Sequence, residues 1–303
     1  MSGKSWIKFI YLGVVWGATF LWIKVGLEEL APLTFTAFRL GVAVLGLVTI
    51  VLVLRPARPR WSNLGDFLIL GVFNVALPFA LITWGEQHIS SGLASILNST
   101  APLFTMFLAA VFVADDPINR PKAVGLLVGF GGVILLVADQ VGGEFGAFQL
   151  GQLGILAASL SYAIAIIYAR RRTFNLSPAV QAFGQNIFAN LAIWSAAYSL
   201  EGPFVLPKLP ITWLAIVWLG LMASCIGTVL YYGLLNEIGP TRTTLVTYLF
   251  PLVGVFLGVV FLNENVDWQM IVGGVLIISG VVVVNTRSRK TPGSVQVGGG
   301  IRR

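Results

Sequence analysis

Residues 92–112 read GLASILNSTAPLFTMFLAAVF, and a weakly similar stretch recurs at residues 241–261 as TRTTLVTYLFPLVGVFLGVVF. One ungapped shift superposes the two stretches and the residues that follow them. The matched pairs are Pro102 with Pro251, Phe107 with Phe256, Phe112 with Phe261, Asp115 with Glu264, Gly125 with Gly274 and Gly131 with Gly280. Apolar matches arise by chance in an apolar chain, but matched proline, glycine and acidic positions rarely do. The pattern therefore predicts an internal duplication.

The duplication extends towards the N-terminus of each half. A slightly different shift superposes Trp16 on Tyr162, Lys24 on Arg170 and Pro32 on Pro178. We therefore expect a first repeat at residues 1–145 and a second at residues 146–286. A basic and then glycine-rich tail follows at residues 287–303.

The composition indicates a polytopic membrane protein. The chain is 57% hydrophobic and only 10% charged, with a mean hydropathy of +0.88, whereas soluble domains are roughly 25% charged. Apolar runs of about 20 residues, each enough to cross a bilayer, leave no room for a soluble domain. The predicted spans are residues 6–26, 33–54, 66–87, 91–113, 121–138, 152–170, 178–199, 211–235, 239–262 and 268–286.

The positive charges predict the orientation of these spans. Nearly all Lys and Arg residues fall at the termini and in alternate connections, and the opposite connections hold only Lys24 and Lys208. Both termini are therefore expected to be cytoplasmic, in a cell inner membrane. Because this distribution accounts for the net charge of +7, no nucleic-acid partner is expected.

Five spans in each repeat is an odd number, so the second repeat must enter the membrane from the opposite side. The expected fold is all-α, with ten transmembrane helices in two inverted five-helix repeats around a central cavity. Inverted repeats of this kind are common in secondary transporters, with the binding site near mid-membrane.

The repeated proline helices carry a family resemblance. The segments STAPLFTMFLAAVFVADD at 99–116 and YLFPLVGVFLGVVFLNEN at 248–265 each precede a glycine-rich helix. With SGLASILNSTAP at 91–102, WGATFLWIKVG at 16–26 and ASLSYAIAIIYARR at 158–171, they resemble the drug/metabolite transporter superfamily, and most closely its EamA-type ten-helix exporters. The resemblance implies export of amino acids or other metabolites by alternating access. The superfamily often has glutamate where this chain has Asp115.

No enzymatic constellation can be built from the sequence. His88 is the only histidine, and the partners needed for a metal site or a Ser-His-Asp arrangement are missing. An acid-base pair of Glu86 and His88 is conceivable, with solvated helix-end residues as the plainer interpretation. We expect no enzyme activity, no metal and no cofactor.

Carboxylates are absent from the interiors of the predicted spans. Proton-coupled transporters usually carry the proton on an intramembrane acid or histidine. The small multidrug antiporters of the superfamily have a glutamate in the first helix, whereas Glu28 and Glu29 come too late here. The sequence therefore predicts no strict proton antiport of cationic drugs.

Arg39 is the one basic residue well inside a span. A buried guanidinium either attracts a substrate carboxylate or makes a structural bond to helix-end carbonyls or to an acid such as Glu28 or Glu29. One cation is too few for a phosphate, so nucleotide-sugar exchange ranks lower.

Aromatic and uncharged polar residues inside the spans are the other candidate substrate-binding groups. Aromatic walls suit a substrate with a large apolar part, and amides or hydroxyls can bind its polar end. The plainer interpretation is interface anchoring or packing. The candidates are Trp16, Phe79, Trp84, Asn98, Tyr162, Gln185, Asn186, Tyr231, Thr247 and Tyr248, with Pro102 and Pro251 as gating residues because proline frees a helix carbonyl.

The expected function is export of small neutral or zwitterionic metabolites, with aromatic or apolar amino acids as the expected substrates. The alternatives are a multidrug or nucleotide-sugar carrier of the same superfamily and a membrane scaffold without flux. The expected partners are the small-molecule substrate and the lipid bilayer. Pairs of glycines such as Gly125 and Gly129 suit close helix packing or a dimer face, so the chain is either a monomer or a homodimer.

Overall fold

The computed structural model describes residues 2–112, 120–138, 146–173, 176–238 and 243–287, and within them the secondary structure is helical, without strands. The helices are numbered in chain order. They are α1 Gly3–Leu27, α2 Pro32–Leu54, α3 Trp61–Gly85, α4 Ser91–Phe112, α5 Arg120–Ala138, α6 Ala147–Arg172, α7 Pro178–Leu200, α8 Pro210–Ile238, α9 Thr244–Leu262 and α10 Trp268–Arg287.

The helices confirm a multi-pass membrane protein. Among the described residues, eight helices are long and apolar enough to cross a membrane, namely α1 to α6, α8 and α9. Helix α10 contains an apolar segment, Trp268–Val283, that is shorter than these eight helices. Helix α7 is 23 residues long but carries the buried polar residues Gln181, Gln185 and Asn186. Ten crossings therefore stay a prediction.

Some helices begin earlier than the hydropathy pattern predicts. Helix α3 begins at Trp61 rather than at residue 66, because Asp66 is accommodated inside the fold. Its carboxylate accepts hydrogen bonds from Tyr168 Oη at 2.7 Å and Arg172 Nε at 3.2 Å. A paired carboxylate is far less costly to bury than a free one, so the acid does not end the helix.

The two predicted repeats interlock. The most extensively packed helix pairs include α5 with α10, α3 with α6, α2 with α7 and α1 with α8. Each pair joins a helix from residues 1–145 to one from residues 146–286. The apolar surface of one half is therefore buried mainly against the other, so neither half has a separate core. The division into two repeat domains and their inverted relation stay predictions.

Departures from α-helical geometry recur at matching places in the two halves. Helix α3 contains a π-helical segment, Gly71–Ala76, and α8 contains another, Leu219–Ile226. Helix α4 is interrupted at residues 99 and 100, before Pro102, and α9 opens with the 3-10 segment Thr244–Tyr248, before Pro251. These backbone features agree with the duplication inferred from the prolines.

The connections between helices gather at two ends of the bundle. Residues 28–31, 86–90, 201–209 and 263–267 lie at one end, which we call the acidic end because it holds Glu28, Glu29, Glu86, Glu201, Glu264 and Asp267. Residues 55–60 and 173–177 lie at the opposite end, the basic end. There Lys8 of α1 pairs with Glu237 of α8. Asp115 lies outside the described residues.

Glycines bring α5 and α10 into direct backbone contact. A Cβ atom at Gly280 would lie 2.5 Å from the Gly125 carbonyl oxygen and 2.6 Å from the Gly129 nitrogen. Small residues permit this approach between helices in lipid. Gly125 and Gly129 thus contribute to packing within the chain.

Replacing Gly280→Ala should destabilise the bundle, since the methyl group would force apart two backbones that cannot yield. The expected loss is about 1–3 kcal/mol, the usual cost of overpacking, seen as a lower midpoint of thermal unfolding in detergent. The control is Gly131→Ala at the matching repeat position, where a Cβ meets nothing within 4 Å. Equal midpoints for the two variants would contradict this account of the interface.

Candidate functional site

A cavity of about 150 Å³ lies between the two halves. Helices α1 to α4 and α6 to α9 all contribute to its wall. Its lining is mainly apolar and aromatic, with amides and hydroxyls between. The lining residues are Trp16, Thr19, Phe20, Ile23, Arg39, Asn74, Val75, Phe79, Ile82, Asn98, Ala101, Pro102, Thr105, Tyr162, Ile166, Gln185, Asn186, Ala223, Thr228, Tyr231, Thr243, Thr244, Val246, Thr247 and Phe250.

Arg39 is the only charged side chain among the described residues that line this cavity. It is 4% exposed. Its Nε donates to Ser224 Oγ at 3.0 Å, and its guanidinium carbon lies 4.1 Å from the centre of the Phe79 ring. Within the described part of the chain it forms no ion pair, and its two terminal nitrogens have no hydrogen-bond partner. The geometry thus fixes the guanidinium while leaving its donor pair available to an anion.

The α7 wall of the cavity offers further polar atoms. Gln185 Oε1 accepts hydrogen bonds from Asn74 Nδ2 and from Tyr232 Oη, both at 3.0 Å. Asn186 Nδ2 donates to the Ala182 carbonyl at 2.8 Å. Gln185 Nε2 and Asn186 Oδ1 are buried and have no partner among the described residues. Buried polar atoms are rarely left unpaired, so a donor and an acceptor are available here to a bound molecule or to water.

Aromatic rings form the α1 side of the cavity. Trp16 donates through Nε1 to the Ala223 carbonyl at 3.0 Å, and that carbonyl belongs to the π-helical segment of α8. The Trp16 ring lies 5.3 Å from Tyr231 and 6.2 Å from Phe250, measured between centroids. Such a wall can accept an apolar group or, through ring faces, a cation.

The structure brings together all but three of the predicted site residues. Trp16, Arg39, Phe79, Asn98, Pro102, Tyr162, Gln185, Asn186, Tyr231 and Thr247 line the cavity. Trp84, Tyr248 and Pro251 do not. Trp84 is 37% exposed and its ring packs on His88, with centroids 5.0 Å apart. Tyr248 packs against the core, and Pro251 is buried in α9.

The break in α4 has the consequence expected of its proline. Pro102 has no N–H, so the carbonyl of Asn98 lacks its intrahelical donor. The hydroxyl of Ser159 on α6 lies 3.4 Å from that carbonyl and 3.4 Å from the Asn98 side-chain oxygen. The freed carbonyl therefore meets a polar group from the other half at the cavity wall.

Carboxylates from one half cap helix N-termini of the other half at the acidic end. Glu264 accepts from Ser91 N at 2.7 Å, Gly92 N at 2.9 Å and Ser91 Oγ at 3.0 Å. Glu201 accepts from Leu33 N at 2.8 Å and from Thr34 N at 2.7 Å. The unpaired N–H groups and the dipole of a helix N-terminus stabilise an anion. These caps join the two halves at the acidic end.

A third cap runs in the opposite direction. Glu29, from the first half, accepts hydrogen bonds from the backbone N–H groups of Lys208 and Leu209, just before α8. Neither Glu29 nor the exposed Glu28 pairs with Arg39, so the structural partner of Arg39 is Ser224.

Three polar residues in or near the site were not predicted from the sequence. Asn74 and Ser224 lie in the two π-helical segments, and their only sequence signal is a polar residue in an apolar run. Glu86 was expected to be a solvated helix-end residue, and that expectation was wrong, because it is 0% exposed. Within the described residues, no cluster of His, Cys, Asp and Glu could hold a metal ion.

Comparison with known proteins gives a consistent set of matches. The pattern of the EamA-like transporter family matches residues 4–138 and 149–286. The "Probable amino-acid metabolite efflux pump" of Salmonella typhimurium (strain LT2) is 28% identical over 93% of this chain and 95% of its own length. The "Uncharacterized inner membrane transporter YedA" of Escherichia coli (strain K12) is 27% identical over 90% of this chain and 88% of its own length.

A crystal structure shares the fold, with a TM-score of 0.67 and 18% identity over 93% of this chain and 98% of that chain. The two named relatives are described as a transporter and an efflux pump, not as enzymes. The sequence also suggests a more specific resemblance, to the aromatic amino-acid exporter YddG, and this stays a prediction.

A cysteine introduced at Thr247, in the cavity wall, should react with a small water-soluble thiol reagent in the protein carrying Cys225→Ala. A cysteine at Leu127, which is 75% exposed on an apolar helix face, should not react in lipid nanodiscs, since thiolates do not form in hydrocarbon. The measurement is the fraction labelled over time. Failure of the Thr247→Cys protein to react would mean that the cavity is dry.

Proposed function

The chain belongs to the EamA-like transporter family, and we propose that it exports small neutral or zwitterionic metabolites, with aromatic and apolar amino acids as its preferred substrates. The family match makes the chain a membrane transporter. The substrate class is our proposal, and the resemblance to exporters supplies its direction. A relative named a probable amino-acid metabolite efflux pump supports the same choice.

Arg39 is the observation that carries the proposal. Its fixed guanidinium, with two nitrogens free of hydrogen bonds, suits the carboxylate of an amino acid. A cavity lined only by neutral groups would not attract the carboxylate of an amino acid. The substrate ammonium group would lie against the acceptor oxygen of Asn186 or the ring faces of Trp16 and Tyr231.

The cavity size limits the substrate. Its volume of about 150 Å³ is comparable to the engineered cavities of about 150 Å³ that hold benzene. It suits one aromatic or aliphatic side chain, and one cation in its lining is too few for the phosphates of a nucleotide sugar. The single positive charge also disfavours cationic drugs, which ranks the multidrug carrier below amino-acid export.

Alternating access fits the asymmetry between the two ends. Carboxylate caps hold the acidic end closed, whereas the cavity lining extends along α9 to Thr243 and Thr244, beside the basic end. We propose that the cavity faces one side and then the other as the caps form and break. Helices α3, α4, α8 and α9, which carry the π-helical segments and the prolines, are the proposed moving parts.

The proposed orientation follows the charges. The basic end, which holds the N-terminus, would face the cytoplasm, and the acidic end would face outwards across the cell inner membrane. The C-terminus is proposed on the cytoplasmic side as well. A relative is named an inner membrane transporter. Monomer and homodimer both remain compatible with this arrangement.

The first test is counterflow of labelled phenylalanine, tryptophan and leucine in proteoliposomes. We expect saturable exchange that unlabelled phenylalanine inhibits and phenethylamine, which lacks the carboxylate, does not. Empty liposomes and liposomes with unfolded protein are the controls. Equal inhibition by both compounds would remove the carboxylate from the recognition.

Substitution of Arg39→Gln should lower amino-acid counterflow at least about tenfold, because a hydrogen bond to a charged group contributes roughly 1.5–3 kcal/mol. Arg39→Lys should retain part of the flux, since the charge remains without the paired donors. The matched control is Arg58→Gln, which removes an exposed charge. Unchanged counterflow in a folded Arg39→Gln protein would show that Arg39 is structural.

The double substitution Pro102→Ala and Pro251→Ala should impair transport more than folding. Restoring N–H groups lets α4 and α9 become regular α-helices, which removes the proposed flexible points. Counterflow rate and thermal unfolding midpoint are measured together. Full flux in the double variant would argue against gating by the two prolines.

A further inference from the structure

Glu86 is the buried ionisable group that the substrate site does not use. It follows α3 directly, is 0% exposed and lies outside the cavity lining. Both of its carboxyl oxygens are buried without a hydrogen-bond partner among the described residues. The other buried or capping acids at this end differ, because Glu29, Glu201 and Glu264 each accept backbone N–H groups.

The surroundings of Glu86 come from several elements. Lys24 of α1, Arg39 of α2 and Glu264 of the connection before α10 are the charged groups that act on it. None of the three forms an ion pair with it in the described part of the chain. Helix α6 packs on Gly85 through Gly151 and has no titratable side chain between residues 147 and 160. His88, in the same connection, packs on Trp84 instead.

These surroundings favour a neutral carboxyl group. A buried carboxylate is tolerated when it is paired and hydrogen-bonded, and Glu86 is neither. Burial raises the pKa of the Glu86 carboxyl well above its ordinary value, and the Lys24 ammonium opposes this shift only in part. The nearby Glu264 carboxylate adds to the shift, because two adjacent negative charges repel.

We propose that Glu86 is a proton-binding site of the acidic end, which must bind a proton for that end to close. The inference rests on the proposed alternating access. On closing, Glu86 takes a proton from water at the acidic end to form a neutral O–H group. On opening, the proton returns to water and the carboxylate is hydrated.

Glu264 connects the proton to the closure. Its carboxylate caps Ser91 and Gly92 and thereby holds α4 against the connection before α10. An ionised Glu86 carboxylate would repel the Glu264 carboxylate in this cap. Because Glu86 is buried there, water would not hydrate its charge. Because the closed state binds the proton more tightly, lower pH favours closure of the acidic end and higher pH favours its opening.

The test measures opening without any substrate. Ser95 is 0% exposed beneath the Glu264 cap and lies outside the cavity lining, so a cysteine there reports opening. The protein carries Cys225→Ala and Ser95→Cys in lipid nanodiscs, where both ends are accessible. The measurement is its labelling rate by a water-soluble maleimide. This rate is divided by the rate for Gln87→Cys, an exposed position in the same connection, to correct for the pH dependence of thiol reactivity.

The normalised rate should rise at least about fivefold from about pH 5 to about pH 8, because a one-proton equilibrium changes up to about tenfold per pH unit. With Glu86→Gln, which stays neutral, the rate should be low and independent of pH. The matched control Glu28→Gln removes an exposed carboxylate at the same end and should behave like the parent.

A rate that does not change with pH in the parent, or an unaltered pH dependence with Glu86→Gln, would overturn the proposal. If Glu86→Gln does not fold, Glu86→Asp keeps a titratable group, and a shifted midpoint supports the site while an unshifted one refutes it. Absence of amino-acid counterflow with a normal pH response would instead refute the proposed substrate and leave the proton site standing.

Discussion

A helix that begins inside a membrane protein presents backbone N–H groups that no residue of the same helix can satisfy. At the acidic end this requirement is met from the opposite half of the chain. Glu264 and Glu201 cap α4 and α2, and Glu29 caps the start of α8. The same atoms therefore satisfy the backbone and hold the two halves together. Any movement that separates the halves must provide water or another partner for these N–H groups.

The cavity follows from how the halves interlock. The most extensively packed helix pairs take one member from either half, so the central space is enclosed by both. Glycine contacts such as Gly280 on Gly125 allow α5 and α10 to pack tightly to one side. Polar groups near the cavity are bonded in pairs across the halves, as Arg39 is to Ser224 and Asn98 is to Ser159. A movement of these cavity side chains therefore alters the hydrogen bonds between the two halves.

The repeat-matched Trp16 and Tyr162 were informative in the sequence, because both line the cavity, whereas of the two matched prolines Pro102 does and Pro251 does not. The membrane class could be predicted from composition, and fewer than half of the described lining residues from their type and position within the spans. The position of Trp84 could not, since it lies five residues after Phe79, which turns it by about 140° on a helix. Burial of Glu86 depends on a distant connection packing over it, and no local pattern shows such packing.

The paired π-helical segments have a geometric consequence. A π turn holds an extra residue relative to the α-helical register, and one residue corresponds to about 100° of rotation along an α-helix. If the π turn moved along the helix by one turn, the side chains between its old and new positions would rotate to a different face. The helix itself would stay continuous. In α3 and α8 those side chains include Asn74 and Ser224. The two π-helical segments therefore allow parts of α3 and α8 to rotate beside the cavity, at matching positions in both halves.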